Sequence, residues 1–348
     1  MPIPGYLLYQ GTSAIMVSIV IISILAGTDW LDGIMARREG PTVLGGLLDP
    51  IADKIFIAVI YLPLSERYVD DWERSVIPLW ITIVIFCRDF LVTSLRTSLS
   101  LRNAPMRTSL IAKFKTAIQM FGAAYVISLW AMYRNDPDSP LPIIVMAAPA
   151  LVPLALIIYR LIKGIKQGLR SSTMLLLMLL TTLCQYLFGH NWTSLGILMT
   201  LTALTLFSGF SYLTDAWSAL KGNPGSIKET ARAILDGLLV PIALLLTMGR
   251  YDTPGMSTLI ILSVTLELAS GGLANLLADQ KITPQFRWVA LKSSLQVLFC
   301  SSSFIIWKFN LTPGLHIGEA CIVAVALVTV IFSGASFWKH RAVYLSHI

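Results

Sequence analysis

The chain has 348 residues, 55% of them hydrophobic and 13% charged, against roughly 25% charged in an ordinary soluble domain. That balance, carried by long uncharged runs, excludes a soluble globule and low-complexity disorder and points to an all-α integral membrane protein with several spans. Four cysteines with no C-x-x-C or Cys/His cluster exclude a disulfide framework and a zinc site, and the net charge of +7 reads as a topology signal rather than a nucleic-acid footprint.

Residues 1–28 carry no charge, and 13–28 are strongly apolar. No basic region precedes that run and the acidic TDWLDG follows it, so it reads as a span and not as a cleaved signal peptide. Further apolar runs lie at 45–64, 75–95, 115–133, 141–162, 173–189, 194–212, 231–249, 257–277, 290–307 and 316–337. Each is long enough to cross roughly 30 Å of hydrocarbon, which predicts about eleven transmembrane helices. The loops on one side hold Arg67, Arg74, Arg134, Arg250 and Lys308. The opposite loops hold nineteen of the 26 basic residues, and Lys54 and Arg88 fall within spans. The basic side is expected to be cytoplasmic, in the inner membrane, with the N-terminus outside and the C-terminus inside.

Asp and Glu are expensive at membrane depth and mark function by default. Asp29 and Asp32 end the first span on the basic side, and Asp49 and Asp53 begin the next. The i,i+3 and i,i+4 spacings put each pair on one helix face. Two antiparallel helices joined by residues 37–44 would gather all four carboxylates. Such a cluster repels itself unless hard divalent cations intervene, so two Mg²⁺ or Mn²⁺ ions are expected. A two-metal site of that kind can bind a diphosphate and stabilise in-line displacement at phosphorus. Gly33 leaves room beside the helix, and Arg37 offers a forked phosphate donor. Helix caps and surface ion pairs would account for one such Asp, but not for four on two faces.

The pattern D-x2-D-G-x2-A-R-x8-G-x3-D-x3-D resembles the signature of the CDP-alcohol phosphatidyltransferase family. Here it is carried by Asp29, Asp32, Gly33, Ala36, Arg37, Gly45, Asp49 and Asp53, with seven residues (38–44) rather than eight after Arg37. Within that family DPIADK (49–54), RDFLVTSLR (88–96) and AKFKTAIQM (112–120) are most similar to the phosphatidylglycerophosphate synthases. The resemblance covers residues 13–163. It implies transfer of a phosphatidyl group from CDP-diacylglycerol to sn-glycerol 3-phosphate, with release of CMP. It also implies that Asp29, Asp32 and Asp49 ligate the metals, that Asp53 serves as ligand and general base, and that Gly33, Ala36 and Arg37 meet the CDP group, with Gly45 completing the motif. A phosphorylated acceptor calls for cations, for which Arg96, Arg107, Lys113, Lys115 and Arg160 are the candidates. Arg88 and Asp89, adjacent near membrane depth, read as a structural pair.

The second half parallels the first. YLTDAWSALKGN (212–223) follows AGTDWLDGIMARRE (26–39), and ILDGLLVP (234–241) follows LLDPIADK (47–54). Asp215 and Asp236 stand for Asp29 and Asp49, but Ser218 replaces Asp32 and Val240 replaces Asp53. Glu267 parallels Asp89, and LKSSLQ (291–296) parallels FKTAIQ (114–119). The expected organisation is a catalytic domain over 1–165 and a degenerate, inactive repeat over 172–348. Because family members resemble homodimers, the silent half would act as an intrachain partner subunit. Matching motifs fall on one side of the membrane in both halves, so the repeat is parallel. Another acceptor (inositol phosphate, inositol, serine or a second lipid), a parallel-repeat cation transporter and a non-catalytic scaffold remain the alternatives. Trp72, Trp80, Trp130, Tyr133, Trp192, Tyr251, Trp307 and Trp338 read as interfacial anchors.

Overall fold

The computed structural model describes residues 43–66, 76–101, 147–164, 169–220, 224–251, 255–282, 286–311 and 314–345, together with single positions in 17–24, 119–132 and 143–144 and at 253. Among these residues there is helix and no strand. The helices are α1 (Val43–Glu66), α2 (Leu79–Ser100), α3 (Leu151–Ile162), α4 (Leu169–Leu220), α5 (Pro224–Thr247), α6 (Met256–Asp279), α7 (Phe286–Lys308), α8 (Leu315–Lys339) and the short α9 (Arg341–Leu345). Asn191–Thr214 within α4, α6, Trp288–Lys308 within α7, and α8 are long and apolar enough to cross a bilayer. Helices suit this setting because they satisfy every backbone polar group internally. The molecule is a polytopic helical membrane protein.

The helices follow the apolar runs, with two instructive differences. The runs 173–189 and 194–212 form two helical segments of α4 that meet in a break at Gly189, whose φ of 77° and ψ of 178° are open to a residue without Cβ. The second segment starts at Asn191, a few residues before its apolar run. The run 75–95 extends to Ser100, so Arg96 lies in the helix rather than in the loop after it. An arginine can remain helical at a span end because its long stem carries the charge toward the interface.

In lipid the hydrophobic effect does not drive helices together, so close packing and interhelical hydrogen bonds must do so. The glycines mark where this happens. A Cβ on Gly237 of α5 would stand 3.0 Å from the Leu91 Cα of α2, and one on Gly272 of α6 would stand 2.4 Å from the Ile51 Cγ1 of α1. A Cβ on Gly271 would stand 2.8 Å from the Thr93 Cγ2. One turn further, Thr97 Oγ1 lies 2.7 Å from Asn275 Oδ1 and donates to it. α1 thus packs on α6, while α2 packs on α5, α6 and α4. The larger core runs from Phe56, Ile60 and Tyr61 through Ile85 and Phe86 to Val240, Leu244, Val264 and Val325, and a smaller one gathers Leu91, Leu95 and Leu99. The outer face of α4 is apolar and exposed, with Leu176, Leu177 and Phe188 turned outward, as a lipid-facing helix requires.

Two of the expected interfacial aromatics do other work. Tyr251 is buried and donates to the Ser303 backbone oxygen at 2.7 Å, while Ser303 Oγ donates to the Gly318 oxygen at 3.0 Å. The Arg250 guanidinium sits 4.3 Å over the Trp307 ring, a cation–π contact that draws that indole into the packing. Trp192 and Trp338 are exposed, as anchors are.

Candidate active site

α1 carries the second acid pair. Its backbone is helical from Val43 to Glu66, so Asp49 and Asp53 lie one turn apart on a continuous helix, with Gly45 one turn before them. Asp53 is half-buried and engaged by a neighbour. Lys54, the next residue, donates from Nζ to Thr93 Oγ1 of α2. Thr93 in turn donates to the Asp89 backbone oxygen at 2.6 Å. That relay locks the acid-bearing helix against α2. In the sequence Lys54 is marked only by being a charge inside a span, where an ionisable residue is costly.

Asp89 and Arg88 pair as anticipated, with Nη1 3.0 Å from Oδ1 and both side chains nearly buried. Arg88 also donates from Nη2 to Ser208 Oγ at 3.0 Å and lies 5.4 Å from the Tyr212 ring centroid. It therefore ties α2 to α4 and serves structure. Gln119 Nε2 donates to Thr205 Oγ1 at 3.1 Å, and Tyr61 OH donates to the Gln119 backbone oxygen at 3.2 Å.

Of the expected phosphate ligands, Arg96 is half-buried on α2, three residues beyond Thr93. Arg160 lies in the last turn of α3, which packs on α4. Asp29, Asp32, Gly33, Ala36, Arg37, Arg107, Lys113 and Lys115 lie outside the described residues, as does the side chain of Asp49. The gathering of the first acid pair with the second is therefore an expectation of sequence alone. Among the described residues no three His, Cys, Asp or Glu side chains gather as a metal site.

The second half has its own polar centre. Lys292 of α7 donates to Glu267 Oε2 of α6 at 2.8 Å, and Gln296 Nε2 donates to Glu267 Oε1 at 2.6 Å and to Thr329 Oγ1 of α8 at 2.8 Å. Glu267 is thus satisfied by neighbours within its own half. This pair borders a cavity of about 920 Å³ between α2, α5, α6, α7 and α8, whose wall also includes Asp236, Val240, Lys339 and His340. Burial, and then the charge of Lys339, lower the His340 pKa.

Comparison with known proteins adds identity to this geometry. Residues 1–161 match the family model described as CDP-alcohol phosphatidyltransferase. A Salmonella typhimurium protein named CDP-diacylglycerol--glycerol-3-phosphate 3-phosphatidyltransferase is 33% identical over 129 residues. Its namesake in Escherichia coli K12 is 30% identical over 125 residues. These alignments span 34% and 33% of this chain, and 66% and 64% of the relatives, just under two thirds of their length. No solved structure matches the chain. Helical membrane architecture, the acid-bearing helix and the family match together make the N-terminal 161 residues of this chain similar to the CDP-alcohol phosphatidyltransferases.

Proposed function

We propose that the N-terminal half transfers a phosphatidyl group from CDP-diacylglycerol to sn-glycerol 3-phosphate, releasing CMP. The observation that carries this reading is the eight-position acid, glycine and arginine pattern of residues 29–53, lying inside the family match. The names of the relatives agree with it.

Asp29, Asp32, Asp49 and Asp53 would hold two Mg²⁺ or Mn²⁺ ions. The donor set suits hard cations, because it is all carboxylate oxygen and half of it rides one turn apart on the continuous helix α1. When bound, the ions supply positive charge against the diphosphate and the departing CMP. Asp53 takes the proton of the acceptor hydroxyl as that oxygen bonds to the phosphatidyl phosphorus. The bond from that phosphorus to the CMP oxygen breaks, and its electron pair leaves with CMP. Gly33, Ala36, Arg37 and Gly45 accommodate the cytidine diphosphate. Arg96, Arg107, Lys113, Lys115 and Arg160 bind the acceptor's phosphate. The site faces the cytoplasm, since these cations belong to the basic side.

The second half serves as a silent partner for the first. Packing supports this reading. Thr97 and Asn275, which are hydrogen-bonded, stand 178 positions apart. Thr93 and Gly271, which touch, have the same separation, and so do the proposed counterparts Asp89 and Glu267. Residues that meet their own counterparts are what a two-fold axis between equivalent helices produces. α1 on α6 and α2 on α5 are then the two reciprocal contacts of one isologous interface.

An acceptor screen with labelled CDP-diacylglycerol tests the reaction. CMP release is expected with glycerol 3-phosphate and not with inositol, inositol phosphate or serine. Turnover with one of those and none with glycerol 3-phosphate would assign another acceptor.

A further inference from the structure

The cavity of the second half is more than a remnant. Its volume of about 920 Å³ is that of a ligand pocket. Its mouth lies at the ends of the helices on the basic side: Leu101 follows α2, Trp288 is near the start of α7, and Lys339 and His340 close α8. Trp288, Val289, Ile331 and Phe332 form an apolar stretch of the α7–α8 wall. Trp288 and Phe332 meet there with ring centroids 5.8 Å apart, and Trp288, Val289 and Ile331 are exposed on the outer surface while also lining the cavity. That wall is a lateral portal to the bilayer. Ser98, Ser293 and Ser336 bring hydroxyl donors to the cavity. The acids inside already have partners, Glu267 in Lys292 and Gln296 and Asp236 in a neighbour. Lys339 therefore sets the charge of the mouth.

We propose that this cavity holds one anionic glycerophospholipid, with its phosphate at Lys339 and the serine hydroxyls and its acyl chains passing out between Trp288 and Ile331. An amphiphile matches the arrangement, since a basic, hydroxyl-rich mouth at the membrane surface opens onto an apolar exit at acyl depth. The lipid is a structural ligand of the silent half, and the inference does not depend on the transfer reaction. A lipid seated there touches both halves, because Thr97 and Ser98 come from α2 and the remaining wall from α5 to α8.

Native mass spectrometry of the purified, delipidated full chain tests this, using dioleoyl phosphatidylglycerol and dioleoyl phosphatidylcholine as probes. One phosphatidylglycerol is expected to be retained per chain, about fivefold or more in preference to phosphatidylcholine, the scale set by one lysine at an anionic head group. Lys339→Glu is expected to abolish that preference. Equal retention of the two lipids, or an unchanged preference in Lys339→Glu, would overturn the proposal. A second arm needs no variant. Diazirine-bearing phosphatidylglycerol is expected to label α7 and α8 in a manner competed by unlabelled phosphatidylglycerol. Uncompeted labelling there, matching that of the exposed face of α4, would equally overturn it.

Discussion

α1 and α5 start from nearly the same words, LLDPIADK and ILDGLLVP, and end in different chemistry. Where α1 has Asp53, half-buried and held by a neighbour, α5 has Val240, 3% exposed and part of the core. The polar centres differ in the same way. Asp89 is held by the adjacent Arg88 on its own helix, whereas Glu267 is held by Lys292 and Gln296 from another helix. Under the repeat reading proposed above, packing positions are kept while the reactive position becomes a core methyl group. Helix packing depends on small residues and shape, whereas catalysis depends on a single carboxylate.

The sharpest way to break this comparison is Asp53→Asn. CMP release is expected to fall by roughly 10²–10⁴-fold, the usual contribution of a general base, or further if metal binding fails as well. Detergent-stable expression should be unaffected, and retained turnover would remove the role given to Asp53. The second half is tested next by Glu267→Leu, which strands Lys292 as a buried charge. A loss of roughly 3–5 kcal/mol is expected in thermal or denaturant unfolding, and the double change Glu267→Leu with Lys292→Met should recover most of it. Gly237→Val pushes a side chain against the α2 backbone at Leu91. A loss of about 1–3 kcal/mol is expected, accompanied by reduced turnover if the catalytic half relies on its silent partner. The smallest effect belongs to Asp215→Asn, which is expected to leave CMP release within about twofold of the parent enzyme. A large loss there would mean that the second half takes part in the chemistry.

Removing the metal sharpens the same contrast from the ligand side. Chelation is expected to silence CMP release, and added Mg²⁺ or Mn²⁺ to restore it. Under the silent-partner reading, the melting temperature of a chain carrying Asp29→Asn and Asp53→Asn should then no longer respond to Mg²⁺.

Much of this protein was legible in its sequence because membranes impose one-dimensional rules. A span needs a long apolar run, and a charge within it is costly enough to demand a reason. The helices α1, α5, α6, α7 and α8 therefore lie where the apolar runs put them, and Asp49 and Asp53 were placed on one face of α1 by spacing alone. Glu267, an acid inside the apolar run 257–277, is another such charge.

What the tertiary structure decided is which partners meet. No local pattern pairs Lys54 with Thr93, seats Gly272 on Ile51 or tells Tyr251 to bury itself under Ser303. Nor does apolar composition reveal that Gly189 alone breaks α4. Those choices depend on backbones approaching within van der Waals distance across residues far apart in the chain. Sequence periodicity fixes the face a side chain occupies, but only packing in three dimensions fixes what stands opposite it.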